Sequence, residues 1–267
     1  MQMIEILDAV RLIADQAGEV ILDIYDKGFD IETKGDGSPL TQADQNAHAL
    51  IEQRLTELDS RIPVLSEESQ KDVFDRRMNW SRFWMVDPLD GTKEFVKRNG
   101  EFTVNIALID QGRPILGVVH TPVKGITHYA AEGVGAFKQE QDGRIRAINV
   151  RTLQEGAVTM VASRSHAGEA VDRFRSKIEA SGKRVEVASM GSSLKICLVA
   201  EGSADIYPRL APTSEWDTAA AHCVLIAAGG KMIDLSGHSL CYNKPDILNP
   251  WFLACGDPEE NWLAFSN

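Results

Sequence analysis

Apolar residues near the start of the chain recur at steps of three and four. Ile6, Val10, Ile13, Ala17, Ile21 and Ile24 fall on one stripe, the period of an amphipathic helix. A glycine-rich stretch, Lys34-Gly35-Asp36-Gly37-Ser38-Pro39, stops that pattern. A second stripe through Ala43, Ala47, Leu50, Ile51, Leu55 and Leu58 predicts another helix. From residue 62 the texture changes to short apolar runs closed by polar residues. Residues 62–65 run into Ser66-Glu67-Glu68 and residues 83–86 into Asp87, so both read as strands whose ends carry acids. Phe102, Val104, Ile106 and Leu108 alternate with Thr103, Asn105 and Ala107, and strand-like runs at 115–120 and 126–131 follow between glycine and proline turns. This half predicts a largely antiparallel sheet with helices on one face.

Beyond about residue 150 the texture alternates. Strands at 158–162, 185–189, 204–208 and 232–235 are interleaved with helices at 168–181, 192–201 and 216–228. That is α/β texture with crossover helices. Low-complexity linkers and internal repeats are missing, so two subdomains are expected to pack around a shared cleft: an α+β unit over 1–150 and an α/β unit over 151–267. The fold class expected is a layered α+β/α/β arrangement.

Composition narrows the chemistry. Of 267 residues, 43% are hydrophobic and 25% charged, a globular balance that excludes collagen-like, coiled-coil and disordered chains. The 28 basic and 39 acidic residues leave a net charge of -11, which opposes any sequence-independent grip on nucleic acid or anionic lipid. No nucleic-acid partner is expected, and an anionic substrate needs a locally positive site. Cys197, Cys223, Cys241 and Cys255 form no CxxC pair and read as reduced packing thiols, which suits the cytoplasm. The first 20 residues carry acids where a secretion signal has a basic start. Residues 219–228, the longest apolar stretch, are interrupted by His222 and fall short of the roughly 20 residues of a membrane span. A cytoplasmic protein without a transmembrane segment is expected, with peripheral association at the cytoplasmic face of the inner membrane left open.

Three acidic segments carry the candidate chemistry. In Asp87-Pro88-Leu89-Asp90-Gly91-Thr92, a strand delivers Asp87, proline holds it out of the helical region, and Gly91 permits a tight turn. Close carboxylates repel unless a cation compensates or one stays protonated. Taken singly, this segment also reads as a polar turn, Glu67-Glu68 as a solvated strand end, and Asp217 as the N-cap of the alanine-rich helix that follows. If the acids meet, an all-oxygen ligand set selects a hard cation, magnesium above all. Two such ions about 4 Å apart form the usual device for in-line phosphoryl displacement.

The Glu67-Glu68 strand end, the Asp87–Thr92 segment and Trp216-Asp217-Thr218-Ala219-Ala220 resemble, in order and separation, the three signatures of the inositol monophosphatase-like superfamily of magnesium-dependent, lithium-sensitive phosphatases. Lys93-Glu94-Phe95, Ser38-Pro39-Leu40-Thr41-Gln42-Ala43-Asp44, Ser163-Arg164-Ser165-His166 and Gly191-Ser192-Ser193-Leu194-Lys195 are similar to its CysQ-type 3'(2'),5'-bisphosphate nucleotidase branch. The resemblance implies that Glu67, Asp87 and the Leu89 carbonyl hold a first magnesium. Asp87, Asp90 and Asp217 would hold a second, and a third ion would lie near Glu67. It makes Thr92 the hydroxyl that orients the attacking water and Asp44 the acid that polarises it. Thr41-x-x-Asp44 reads equally as a helix-start capping box. Gly91, Thr92, Ser163, His166, Gly191, Ser192, Lys195 and Arg209 become substrate contacts.

The implied activity removes the 3'-phosphate of adenosine 3',5'-bisphosphate, giving AMP and phosphate, and extends to the sulfated analogue of that nucleotide. The rivals are inositol monophosphatase or fructose 1,6-bisphosphatase activity on the same scaffold, and a magnesium- or nucleotide-binding regulator without turnover. A monomer or a homodimer is expected.

Overall fold

The computed structural model describes residues 2–27, 31–33, 39–163 and 168–266. Helix α1 (Met3–Lys27) buries Val10, Ile13, Ala17 and Ile21 of the predicted stripe, with Leu7 beside them, while Ile6 and Ile24 are partly buried. A short antiparallel hairpin, β1 (Ile31–Thr33) with β2 (Pro39–Thr41), leads into α2 (Gln42–Leu58). Thr41 and Asp44 form the capping box that starts α2.

The first sheet contains β3 (Val64–Ser66), β4 (Arg82–Asp90), β5 (Thr103–Asp110), β6 (Arg113–Thr121), β7 (Ile126–Ala131), β8 (Gly135–Gln139) and β9 (Ile145–Ala147), in that spatial order. Only β3 and β4 run parallel. The short helices α3 (Lys71–Arg76) and α4 (Thr92–Val96) bracket β4. Alternate residues of β4 serve two cores. Trp84 and Val86 join α1 and α2, whereas Phe83 and Met85 join a core with α6 (Leu194–Ala200) and α7 (Ala219–Ala227). Helices therefore cover both faces of this sheet, where the sequence pattern predicts one. Both-sided burial is also why β4 and β6 read as continuous apolar runs.

The second sheet is ordered β11 (Arg184–Met190), β10 (Ala157–Ser163), β12 (Ile206–Arg209), β14 (Phe252–Cys255), β13 (Lys231–Asp234). Its outer face packs on α5 (Glu169–Ala180) through Val158, Met160, Phe174 and Ile206. The layers thus alternate helix, sheet, helix, sheet, helix. Crossover pairing holds for β10 with β11 and β12, but β14 is antiparallel to both of its neighbours. Helix α7 is apolar all round because it lies between the sheets. Gly117 of β6 makes that approach possible, since a Cβ there would lie 2.2 Å from the Ala220 carbonyl oxygen. Cys197, Cys223 and Cys255 are buried, Cys241 is exposed, and all four are free.

Candidate active site

Strand β4 ends in a distortion that turns its carboxylates inward. Its register against β5 shifts between Asp87 and Asp90. Asp87 Oδ1 accepts the Leu89 amide at 3.0 Å, a local turn of the kind aspartate favours before a bend. Gly91, at φ +92°, then starts α4, and the Thr92 hydroxyl donates to the Leu89 carbonyl at 3.3 Å. Asp90 is held from three directions: by the Ser193 amide at 2.6 Å, Asn105 Nδ2 at 3.3 Å and the Thr103 hydroxyl at 3.4 Å. Asp217 arrives from the second half of the chain on a 3₁₀ turn, Glu215–Asp217, and accepts the Ser214 amide at 2.8 Å. The predicted helix over 216–228 is in fact this turn followed by α7: the Ser214–Asp217 capping box starts the turn, and the Thr218 amide closes it on the Glu215 carbonyl at 3.2 Å before the alanines begin.

These elements bring one carboxylate oxygen each of Asp87, Asp90 and Asp217 within 4.8 Å of one another. Burial, followed by the charges of Glu67, Asp90 and Asp217, raises the Asp87 carboxyl well above the ordinary carboxylate range. Burial raises Asp90, and burial with the Asp90 charge pushes Asp217 up to about 8. Glu67 follows β3, its amide donating to the Val86 carbonyl at 3.0 Å, and its charge bears on both Asp87 and Asp217. The three carboxylates, buried at Asp87 and partly buried at Asp90 and Asp217, meet no counter-charge of matching size among the described residues, and the donors are all oxygen. A hard divalent cation fits both facts.

The cluster opens into a cleft of about 120 Å³ whose lining includes Asp90, Gly91, Gly191, Ser192, Lys195, Arg209 and Asp217. The structure thus gathers most of the sequence-predicted site residues. Lys195 Nζ lies 5.5 Å from the centre of the Tyr207 ring and donates to the Ser192 carbonyl. Burial lowers its pKa to about 8, against the opposing pull of Asp90. A lysine in the first turn of a helix is unfavourable without a nearby anion, and Asp90 is that anion. Arg209 Nη2 donates to the Pro212 carbonyl at 2.8 Å, while its buried Nε has no partner among the described residues. Two amides of the 191–193 segment already serve the chain's own carboxylates: Gly191 donates to Glu101 at 2.8 Å and Ser193 to Asp90. Gly191 is required there, because a Cβ would lie 2.8 Å from the Glu101 carbonyl oxygen.

Asp44 is buried, and its Oδ2 accepts both the Thr41 amide at 2.8 Å and the Thr41 hydroxyl at 2.6 Å, so the capping role is real. Strand β2, which ends at Thr41, packs against the helix that Thr92 opens. Ser163 ends β10, and His166 lies outside the described residues. Thr103, Asn105 and Ser193 escaped the sequence reading as supports of Asp90. Two polar residues at alternate positions of the otherwise apolar β5 were the available signal.

Comparison with known proteins agrees with this geometry. Residues 2–257 match the model of the inositol monophosphatase family. The chain is 48% identical over 249 residues to the 3'(2'),5'-bisphosphate nucleotidase CysQ of Salmonella typhimurium, covering 92% of this chain and 98% of the relative. It is 35% identical to the Haemophilus influenzae protein of that name, covering 97% and 96%. Among solved structures, CysQ from Bacteroides thetaiotaomicron superposes with a TM-score of 0.82 at 42% identity, covering 94% of this chain and 98% of that one. An IMPase from Thermotoga maritima, at 24% identity and a TM-score of 0.79 over 98% and 97% of the two chains, shares the fold. With its carboxylate cluster, its layered fold and a family match over nearly its whole length, this chain belongs to the inositol monophosphatase family.

Proposed function

We propose that this protein is a cytoplasmic, magnesium-dependent phosphatase that removes the 3'-phosphate of adenosine 3',5'-bisphosphate, leaving AMP and phosphate. The observation that carries the reading is the Asp87–Asp90–Asp217 cluster, buried at Asp87 and partly buried at the other two, opening into the same cleft as Lys195 and Arg209. A bisphosphate needs both: an acidic site that holds cations over the phosphate to be cleaved, and basic groups that anchor the other. The relatives named as bisphosphate nucleotidases point the same way.

Glu67, Asp87 and the Leu89 carbonyl would hold one ion and Asp87, Asp90 and Asp217 another, and a third would lie near Glu67. When bound, magnesium supplies Lewis-acid polarisation of the phosphoryl oxygens and lowers the pKa of a coordinated water. The protein's share is positional. Thr92 donates its proton to the Leu89 carbonyl, so its oxygen is turned to accept a hydrogen bond from the attacking water. Asp44, at the start of α2, is assigned the polarisation of Thr92, whose one proton would turn from the Leu89 carbonyl to that carboxylate when the carbonyl holds an ion. Asp90 is braced by Ser193 and Asn105, which keeps the carboxylates converged before the substrate arrives. Lys195 and Arg209 anchor the 5'-phosphate, with Gly91, Ser163, His166, Gly191 and Ser192 as further contacts to the nucleotide.

An inositol monophosphate has no second phosphate for Lys195 and Arg209 to hold, which sets that rival below the nucleotide. The test is identification of the product. Incubation with adenosine 3',5'-bisphosphate and magnesium should release phosphate and leave AMP. Accumulation of adenosine 3'-phosphate would mean that the wrong ester is cleaved, and binding without release would favour the regulator.

A further inference from the structure

Among the described residues, the lining of the acidic cleft holds one carboxylate outside the Asp87–Asp90–Asp217 cluster, that of Glu94 in α4. The two cluster acids in the lining are held by donors of the chain itself, Asp90 by Ser193 and Asn105 and Asp217 by Ser214. Glu94 is partly buried and accepts no hydrogen bond from the described residues, and its oxygens remain accessible.

The chain fixes where this carboxylate stands. The next residue, Phe95, is fully buried, with the Tyr25 and Phe102 rings each centred 5.2 Å from its own, and this seats α4. The Glu94 stem then crosses two glycines of the cleft. A Cβ on Gly191 would lie 2.9 Å from Glu94 Cγ, and one on Gly91 would lie 3.3 Å from Glu94 Oε2. The carboxylate is therefore beside Gly91, the residue that joins Asp90 of the cluster to Thr92.

A carboxylate at this place opposes a nearby anion, and an ionised phosphate has no proton to offer it. Lys195, on which the Glu94 charge acts, offsets that repulsion in part. The carboxylate becomes favourable to a ligand by accepting from a neutral donor, and hydrogen bonds to charged groups are the stronger kind. Adenosine 3',5'-bisphosphate carries two kinds of neutral donor, the ribose 2'-hydroxyl and the 6-amino group of the base. The 2'-hydroxyl is on the carbon next to the scissile ester, whereas the amino group is at the far end of the nucleoside. Gly91 adjoins the cluster at which that ester is cleaved, so the hydroxyl is the donor within reach.

We propose that Glu94 is a specificity-determining residue that accepts the ribose 2'-hydroxyl and so selects ribonucleotides over their 2'-deoxy counterparts. This role rests on the phosphatase reading and names the part of the sugar that the cleft distinguishes.

The test is kcat/KM for magnesium-dependent phosphate release from adenosine 3',5'-bisphosphate and from its 2'-deoxy form, in the full chain as wild type, Glu94→Gln and Glu94→Ala. The wild type should prefer the ribonucleotide roughly tenfold or more, the range for a hydrogen bond to a charged group. Glu94→Ala should bring the ratio to about one through loss on the ribonucleotide. Glu94→Gln, of the same shape and with an amide oxygen that still accepts, should lie between. Each protein is compared with itself on two nucleotides, so partial loss of folded enzyme cancels from the ratio. No preference in the wild type, or the wild-type ratio in either variant, would overturn the proposal while leaving the phosphatase reading intact. Loss in Glu94→Ala of a preference for adenosine over inosine 3',5'-bisphosphate, with the ribose preference kept, would assign the carboxylate to the base and overturn it too. Release from neither nucleotide by the wild type would overturn the phosphatase reading itself, and this role with it.

Discussion

Asp87 is the residue on which the acidic site turns: it is 1% exposed and feels the charges of Glu67, Asp90 and Asp217 together. Replacing it with asparagine keeps the shape and removes the bridging charge. Asp87→Asn should lower kcat/KM by roughly a thousandfold, about 4 kcal/mol of barrier, while the metal-free protein melts no lower than wild type. Retention of more than about a tenth of the wild-type turnover would contradict the bridging role. Lys195 answers a different question, since it borders the cleft without joining the carboxylates. Lys195→Ala should cost about 1.5–3 kcal/mol, a ten- to hundredfold fall in kcat/KM for the bisphosphate, the range for a hydrogen bond to a charged group. Turnover of inositol 1-phosphate should hardly move. Equal losses on both substrates would place Lys195 in the common chemistry instead.

At the scale of elements, the 3₁₀ turn that presents Asp217 is clamped from behind. Glu215 is fully buried and accepts the Asn243 amide at 2.7 Å, the Lys244 amide at 3.0 Å and the Lys244 ammonium. Asn243, at φ +65°, ties the clamp to the segment after α3 by donating to the Arg77 and Trp80 carbonyls at 3.0 and 3.1 Å. The Phe74 and Trp216 rings meet edge to face with centroids 5.9 Å apart. The segment that follows Glu67 and the turn that carries Asp217 are thus one unit. Glu215→Ala leaves two amides without their acceptor and the partly exposed Lys244 ammonium with only the Cys241 carbonyl, and should cost about 2–4 kcal/mol in chemical denaturation, since each buried donor left unpaired costs about 1–3. Magnesium affinity measured by calorimetry should fall with it. An unchanged affinity would mean that the Ser214 amide alone holds Asp217.

This clamp also shows where the sequence stops being informative. The stripes of α1 and α2, and the acids that close β3 and β4, were legible because each is a local pattern with a local cause. Glu215 looks like any other acid beside a tryptophan; its partners lie nearly thirty residues away, and pairing at that distance leaves no periodicity. Strand β14, four apolar residues between polar loops, carries no signal of its own for the same reason, since its identity as a strand comes from its neighbours β12 and β13. The second helical layer on the first sheet could have been read from β4, where Phe83, Trp84, Met85 and Val86 are apolar on both alternating faces.

For the molecule as a whole, the cluster makes stability depend on pH and on metal. Asp87, Asp90 and Asp217 have raised pKa values when folded, Asp217 to about 8 from 3.8. The metal-free fold therefore holds protons that the unfolded chain has released. This contribution is fully present below the ordinary carboxylate range and is lost as pH rises through about 8. The buried histidines act elsewhere: burial lowers His120 to about 4, His222 to about 3 and His128 below 6.5, so they weaken the fold only as pH falls below their ordinary value. Between pH 6.5 and 8, melting of the metal-free protein should shift downward with rising pH. Magnesium should raise the melting temperature and flatten that slope, because it favours the ionised carboxylates. A melting temperature indifferent to magnesium at pH 8 would mean that the acids do not form a cation site.

The proposed function makes this acidic cleft a site for cations and for a nucleotide with two phosphates. It is tested most directly by phosphate release from adenosine 3',5'-bisphosphate and from inositol 1-phosphate, side by side, with magnesium and with excess chelator. Magnesium-dependent release is expected, with kcat/KM at least about tenfold higher for the bisphosphate, and none in chelator. Equal or reversed preference would contradict the nucleotide reading, and release that persists in chelator would contradict the role of the carboxylate cluster.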